Sequence, residues 1–202
     1  MRYLTFAVGF VAMALLSPPV TVSADRPTKS ATPLSEDEIA IYKAVLWQYA
    51  SDESRSLNVS SKTYPLDPES HMNGLRNGEC LKGIQLDNLA AISHTYHELP
   101  PEVLSGKNMR LVDPEKQAKI VKSNDPDRTM AKGKSVDNAV KEAFATGLFS
   151  ISEIAFDKDH RYAAVSYSFW CGGLCGHGST LVFQKAGSEW KKMERNCGGW
   201  IS

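Results

Sequence analysis

The chain has 202 residues, with 23 basic side chains against 23 acidic ones and a formal net charge of zero. That balance gives no basic bias to draw it to nucleic acid or anionic lipid. The length suits one ordinary domain of roughly 100 to 200 residues, and charge excludes little else.

Met1 to Ala24 carries one positive charge at Arg2, an apolar stretch from Tyr3 to Leu16, a Ser17-Pro18-Pro19 break and Val22-Ser23-Ala24 at the cleavage positions. This is the pattern of a secretory signal peptide. A retained membrane span needs about 18 or more consecutive apolar residues, and this run is shorter and broken by proline. No cysteine stands near the cleavage site to carry a lipid anchor. The sequence therefore predicts a soluble periplasmic or secreted protein with no integral membrane segment after cleavage. Residues 25–34 are polar, contain proline and read as a flexible arm; residues 35–202 read as a single α+β domain.

Ser35-Glu36-Asp37-Glu38 is a capping box, and Ile39, Tyr42, Val45, Leu46 and Tyr49 follow at helical spacing to about Ala50. Leu57 to Tyr64 supports a short strand. Tyr64 to Glu79, with Pro65, Pro68, Gly74 and Gly78, reads as a loop leading to Cys80. Asp87 heads a helix through Leu89, Ala90, Ile92 and Tyr96 that Pro100-Pro101 stops. Met109 to Val112 reads as a strand, and Asp113-Pro114-Glu115 opens a helix to about Lys122. Asn124 to Lys134 is polar and reads as a mobile connection. Ser135 heads a helix with Val136, Ala139, Val140, Ala143 and Phe144 on one face, and Gly147 stands where a left-handed C-terminal residue is wanted.

After Gly147 the period changes to alternation. Phe149 to Phe156, Tyr162 to Trp170, Thr180 to Lys185 and Trp190 to Arg195 predict four antiparallel strands in a meander. The expected architecture is α+β, with N-terminal helices packed on a C-terminal four-stranded antiparallel meander. In such a meander Cys171, Cys175 and Cys197 gather at one end of the sheet, within reach of Cys80. Four cysteines allow three complete pairings, which sequence alone does not choose between. Cys171 with Cys175 and Cys80 with Cys197 is preferred, because the first closes a local glycine-rich loop and the second ties the N-terminal half to the last strand.

Ser152-Glu153-Ile154-Ala155-Phe156-Asp157-Lys158, the stretch from Cys171-Gly-Gly-Leu to Cys175-Gly-His-Gly178, Trp190-Lys191 and the final Trp200-Ile201-Ser202 together resemble the end of a family of exported bacterial proteins of unknown function. The resemblance covers the C-terminal third, with a looser likeness in the helix from Glu38 to Tyr49. It implies an extracytoplasmic α+β module and transfers no catalytic residue.

Each cluster with chemical potential also has a plain structural reading. Cys171, Cys175, His177 and Cys197 could bind zinc, but an oxidising compartment favours structural disulfides at Cys80, Cys171, Cys175 and Cys197. A catalytic dithiol normally uses C-x-x-C at a helix N-terminus, whereas here three residues separate Cys171 and Cys175 in a β-loop. His94 and His97 with Glu98 could hold a metal at a helix end, though the H-E-x-x-H pattern is absent. Asp157, Asp159 and His160 read as a turn. No Gly-x-Ser-x-Gly elbow is present, and Asn58-Val59-Ser60 is an uninformative glycosylation match in a bacterial-looking chain. Trp170 and Trp200 with His177 could form a binding surface, while Trp170, Trp190 and Trp200 also suit the core or rim of the sheet.

No catalytic residue, metal or cofactor is thus assigned. The leading expectation is a non-enzymatic exported module, stabilised by disulfides, that binds an envelope or extracellular protein or peptide. The alternatives are a hydrolase with a site assembled from distant polar residues around His94, His97 or His177, and a metal- or thiol-dependent protein using Cys171, Cys175, His177 and Cys197.

Overall fold

Ser35 and Glu38 close the capping box. The Ser35 N–H donates to Glu38 Oε2 at 2.7 Å and the Glu38 N–H donates to Ser35 Oγ at 3.3 Å, starting helix α1 at Glu36–Ala50. Its buried stripe is Ile41, Tyr42, Val45 and Leu46, of which the three aliphatic side chains each stabilise the fold by about 1.5–3 kcal/mol through burial, while the Tyr42 hydroxyl donates to Ser152 C=O at 3.2 Å. Asp37 in its first turn accepts from Lys185 Nζ at 2.7 Å and Trp190 Nε1 at 3.0 Å. Burial opposes ionisation of this carboxyl, but the lysine and indole hydrogen bonds outweigh it and hold Asp37 below the usual carboxylate range.

The computed structural model describes residues 26–50, 56–66, 79–104, 108–195 and 197–202. The expected signal peptide and most of the loop before Cys80 lie outside the described residues. Within the expected arm, β1 (Thr28–Lys29) pairs in parallel with β3 (Thr95–Tyr96). The main sheet has seven strands: β2 (Leu57–Ser60), β4 (Met109–Val112), β5 (Leu148–Phe156), β6 (Tyr162–Gly172), β7 (Cys175–Ala186), β8 (Glu189–Lys192) and β9 (Gly199–Ile201). Their order is β4-β2-β5-β6-β7-β8, with β9 also on β7.

This corrects the four-stranded antiparallel meander. The fold is α+β, but its sheet is mixed, because β2 lies parallel to both β4 and β5. The last part of the expected meander is divided as well. β8 stops at Lys192, and β9 lies farther down the same edge of β7, opposite His177–Ser179. Consequently Cys197 does not join Cys171 and Cys175 at one sheet end.

Short helices connect the strands. The helix expected from Asp87 shrinks to α2 (Leu89–Ile92), because the Asn88 amide instead grips β5, accepting from Phe156 N–H at 2.9 Å and donating to Ile154 C=O at 3.3 Å. Helix α3 (Pro114–Ser123) begins on an Asp113 cap. The stretch expected to be a mobile connection contains α4 (Pro126–Met130), capped by Asp125. Helix α5 (Val136–Thr146) follows, with Ala139 and Ala143 buried. Gly147 has φ −54°, an ordinary conformation. It serves a different purpose from the left-handed stop expected, since any Cβ there would enter the Phe169 ring.

Both faces of the sheet are covered. On one face Phe149, Ile151, Val165, Phe169 and Phe183 pack with α1 and Ala143. On the other, Ala155, Ala164 and Val182 pack with Leu66, Ile92, Cys80 and Cys197. One irregularity sets the alternation of β5. Ile151 opposes Tyr167 and Ile154 opposes Val165, so β5 holds one extra residue in a bulge at Ser152–Glu153. The bulge shifts the pattern by one, which lets Ile154 and Phe156 rejoin the face of Ile151.

Candidate functional site

Of the three complete pairings, the structure holds Cys80–Cys197 and Cys171–Cys175, leaving no free thiol. The first bridge sits in the core beneath the face opposite α1. The second clasps the β6–β7 turn, where Gly172 has φ +148°, a region that disfavours side chains. Asp125 fastens this turn to α4. Its Oδ1 accepts from Asp127 N–H at 3.1 Å and its Oδ2 from Gly173 N–H at 2.6 Å.

The clasped turn, α4 and α5 enclose a cleft of about 500 Å³. Phe169 and His177 form its floor, Val140 and Phe144 one wall, Leu174 and the Cys171–Cys175 bridge another, and Ile201 its open edge, while Asp127 stands at the rim. Helix α5 packs on the sheet core through small Ala143, with Ala139 also buried, while its bulkier Val136, Val140 and Phe144 are left exposed on the flank. Leu174 is 78% exposed and Ile201 90%. Contiguous exposed apolar side chains around a concavity mark an interaction site more reliably than scattered ones.

The floor is an aromatic pavement. The His177 ring stacks 6.0 Å from Tyr49 and lies 5.7 Å from Phe169, whose other neighbour is Phe144 at 5.7 Å. Burial, reinforced by a hydrogen bond with Tyr167, pushes the Tyr49 phenol far above its ordinary range, so it stays neutral. The lining can take up apolar surface and offers one imidazole for orientation.

The expected surface of Trp170, His177 and Trp200 is divided by the sheet. Trp170 and Trp200 belong to one face, and His177 projects from the other. The Gly176-His177-Gly178 spacing follows from this arrangement. The Trp200 indole lies across both glycines, where a Cβ on Gly176 would meet its Cζ3 at 3.0 Å, and one on Gly178 would meet its Cε2 at 2.8 Å and Tyr167 O at 2.7 Å. Gly178→Ala is expected to lift Trp200 and loosen β9, costing about 1–3 kcal/mol. Tryptophan emission and urea unfolding check this, and unchanged values in both would refute the role of the indole.

The other expected residues are engaged in structure. Glu98 pairs with Lys29 at 2.7 Å and His97 turns to Glu153, so His94, His97 and Glu98 do not converge. Asp157 accepts from Arg161 and Tyr162 N–H at 2.7 and 2.6 Å, closing a turn in which His160 stacks on Phe156 at 4.6 Å. Trp190 is buried against Asp37. Among the described residues no group of three His, Cys, Asp or Glu could hold a metal, and no helix is long and apolar enough to cross a membrane.

Two features escaped sequence reasoning. One is the cleft edge at Ile201, because three residues carry no period. The other is Glu153, 1% exposed at the β5 bulge, which accepts from the Thr63 hydroxyl, from His97 N–H at 2.9 Å and pairs with His97 Nδ1 at 2.8 Å. An acidic residue inside an apolar strand was the available signal for it. No protein family, curated protein or solved structure matches the chain.

Proposed function

We propose that the protein is an exported binding module, stapled by two disulfides, that receives apolar side chains of an envelope or extracellular partner in the cleft between α5 and the clasped β6–β7 turn. The observation that carries this reading is the ring of exposed Val140, Phe144, Leu174 and Ile201 around a preformed concavity. A monomer keeps such surface in water only at a cost in solubility, which binding offsets. Export is supported by the leader-like residues 1–24 and by two disulfides, which persist in oxidising compartments. The resemblance of the C-terminal third to exported bacterial proteins agrees with that location. A binding rather than catalytic role is supported by a cleft lined mostly by aliphatic and aromatic groups and cystine, with His177, Asp127 and Ser202 as its polar members.

The test is a titration of the oxidised protein with N-acetyl-phenylalaninamide, followed by two-dimensional NMR. Shifts concentrated on Val140, Phe144, Phe169, Leu174 and His177 are expected, with a Kd on the order of 1 mM for so small a probe. Phe144→Asp is expected to abolish them. Saturable shifts located elsewhere, or none at all, would remove the cleft as the working surface.

A further inference from the structure

Register across the sheet aligns Val59 with Phe149, Phe149 with Phe169, Phe169 with His177 and His177 with Ile201. The row runs through five strands on one face, beginning at buried Val59 and ending on an Ile201 that is almost wholly in water. The backbone at its end is just as incomplete. Ser202 N–H donates to Gly176 C=O at 3.0 Å, and hydrogen-bonded pairs alternate along an antiparallel ladder. Trp200 and Gly178 therefore form the next such pair, and the N–H and C=O groups of Gly199 and Ile201 turn away from β7. Among the described residues β9 is thus an edge strand beside the cleft.

We propose that β9 accepts an extended peptide segment of a partner protein as an added strand, with a bulky apolar side chain of that segment continuing the Ile201 row at the open edge of the cleft. This rests on the cleft being the binding surface and names what occupies it. Main-chain pairing to an exposed edge supplies affinity, while pockets for alternate side chains supply selectivity. Here the apolar pocket selects one position. The exposed Asp127 carboxylate at the rim of the same cleft favours a lysine or arginine on the face of the apolar side chain, and because successive residues of a strand point to opposite faces that basic residue stands two positions from the apolar one. Neither β9 residue with an outward N–H is a proline, and no lysine lies on this strand to block pairing.

The experiment selects a randomised decapeptide display library on the full oxidised protein, then resynthesises the best binder in free and backbone N-methylated forms. Enrichment of an apolar residue with a Lys or Arg two positions away is expected, with a loss of at least about tenfold on N-methylation at the pairing positions. Ile201→Pro removes an outward donor while leaving the Trp200–Gly178 and Ser202–Gly176 pairing in place, and is expected to cost a similar factor. Ile201→Ala keeps that donor and tests the apolar contact alone. Tight binding that ignores N-methylation overturns strand addition while leaving the cleft reading intact. Failure to enrich any peptide, with the N-acetyl-phenylalaninamide shifts still present, does the same. Self-association abolished by Ile201→Pro, without peptide binding, assigns the edge to a second copy and also overturns the proposal. Loss of both signals removes the cleft reading as well.

Discussion

Replacing Cys80 and Cys197 together by alanine is expected to lower the free energy of unfolding by about 5 kcal/mol, whereas the same replacement of Cys171 and Cys175 lowers it by about 2 kcal/mol. The difference comes from the unfolded chain. The first bridge joins residues 117 apart and the second residues four apart, and the entropy removed from the denatured ensemble grows with the logarithm of the closed loop. Packing adds to the contrast, because Cys80 and Cys197 fill the small core under Ala155, Ala164 and Val182. The Arg195 guanidinium reinforces the same junction by donating to Cys80 C=O at 3.0 Å and Lys82 C=O at 2.9 Å. Urea unfolding of the two double variants, each with its remaining bridge intact, measures both losses. Equal losses would show that the long link does not restrain the unfolded chain.

Glu153→Ala is expected to cost about 3–5 kcal/mol. The carboxylate takes three donors inside the fold, and its removal strands the His97 ring and strips the Thr63 hydroxyl and the His97 N–H of one acceptor each, leaving them only His97 C=O at 3.3 Å and Thr63 Oγ at 2.7 Å. A paired buried carboxylate need not be more stable than an apolar replacement of the whole group, but deleting one partner strands the others. Glu153→Gln separates these terms. Its carbonyl oxygen can still serve Thr63 and the His97 N–H, while its amide faces Nδ1 and selects the imidazole tautomer that accepts there. A loss well below that of the alanine variant is expected, accompanied by a change of His97 tautomer visible in its ring nitrogen shifts. Equal losses in both variants, with the tautomer unchanged, would mean that the carboxylate fills space and does not organise the bulge.

The legible parts of this fold are those whose signals are local. Ser35 and Glu38 sit three residues apart and find each other within one helical turn, as do Asp113 and the Lys116 N–H. The alternation of Ala163, Val165, Tyr167 and Phe169 against Ala164, Ser166 and Ser168 reads directly as two faces of β6. Asp125-Pro126 bears the same mark as Asp113-Pro114 and was legible too, but the charged and polar residues after it masked a helix whose buried surface is mainly Thr129.

The mixed sheet was not legible, because each strand could be read from its own residues but the parallel pairing of Leu57 with Met109 and Val59 with Phe149 joins distant segments, and no local period names a strand's partner. Nor was the cleft. Periodicity identifies the apolar stripe of α5, but cannot tell that its alanines are buried and its larger residues left on the flank. That choice is made by how closely the helix can approach, which depends on partners far away in the chain. The bulge at Glu153 likewise inverts the facing of the residues that follow it, so alternation extrapolated from Phe149 and Ile151 places Ile154 on the wrong side.

The unequal spans of the two bridges also bear on how oxidation reaches the native connectivity. Thiols four residues apart meet on the timescale of short-loop closure, tens of nanoseconds, more often than either meets Cys197, 22 or 26 residues on, and far more often than either meets Cys80. An oxidant therefore captures Cys171 and Cys175 first, and the two thiols left over have only each other. Oxidative refolding of the reduced chain is therefore expected to form the Cys171–Cys175 bridge first and to pass through few scrambled isomers, which quenching with an alkylating agent and peptide mapping would check.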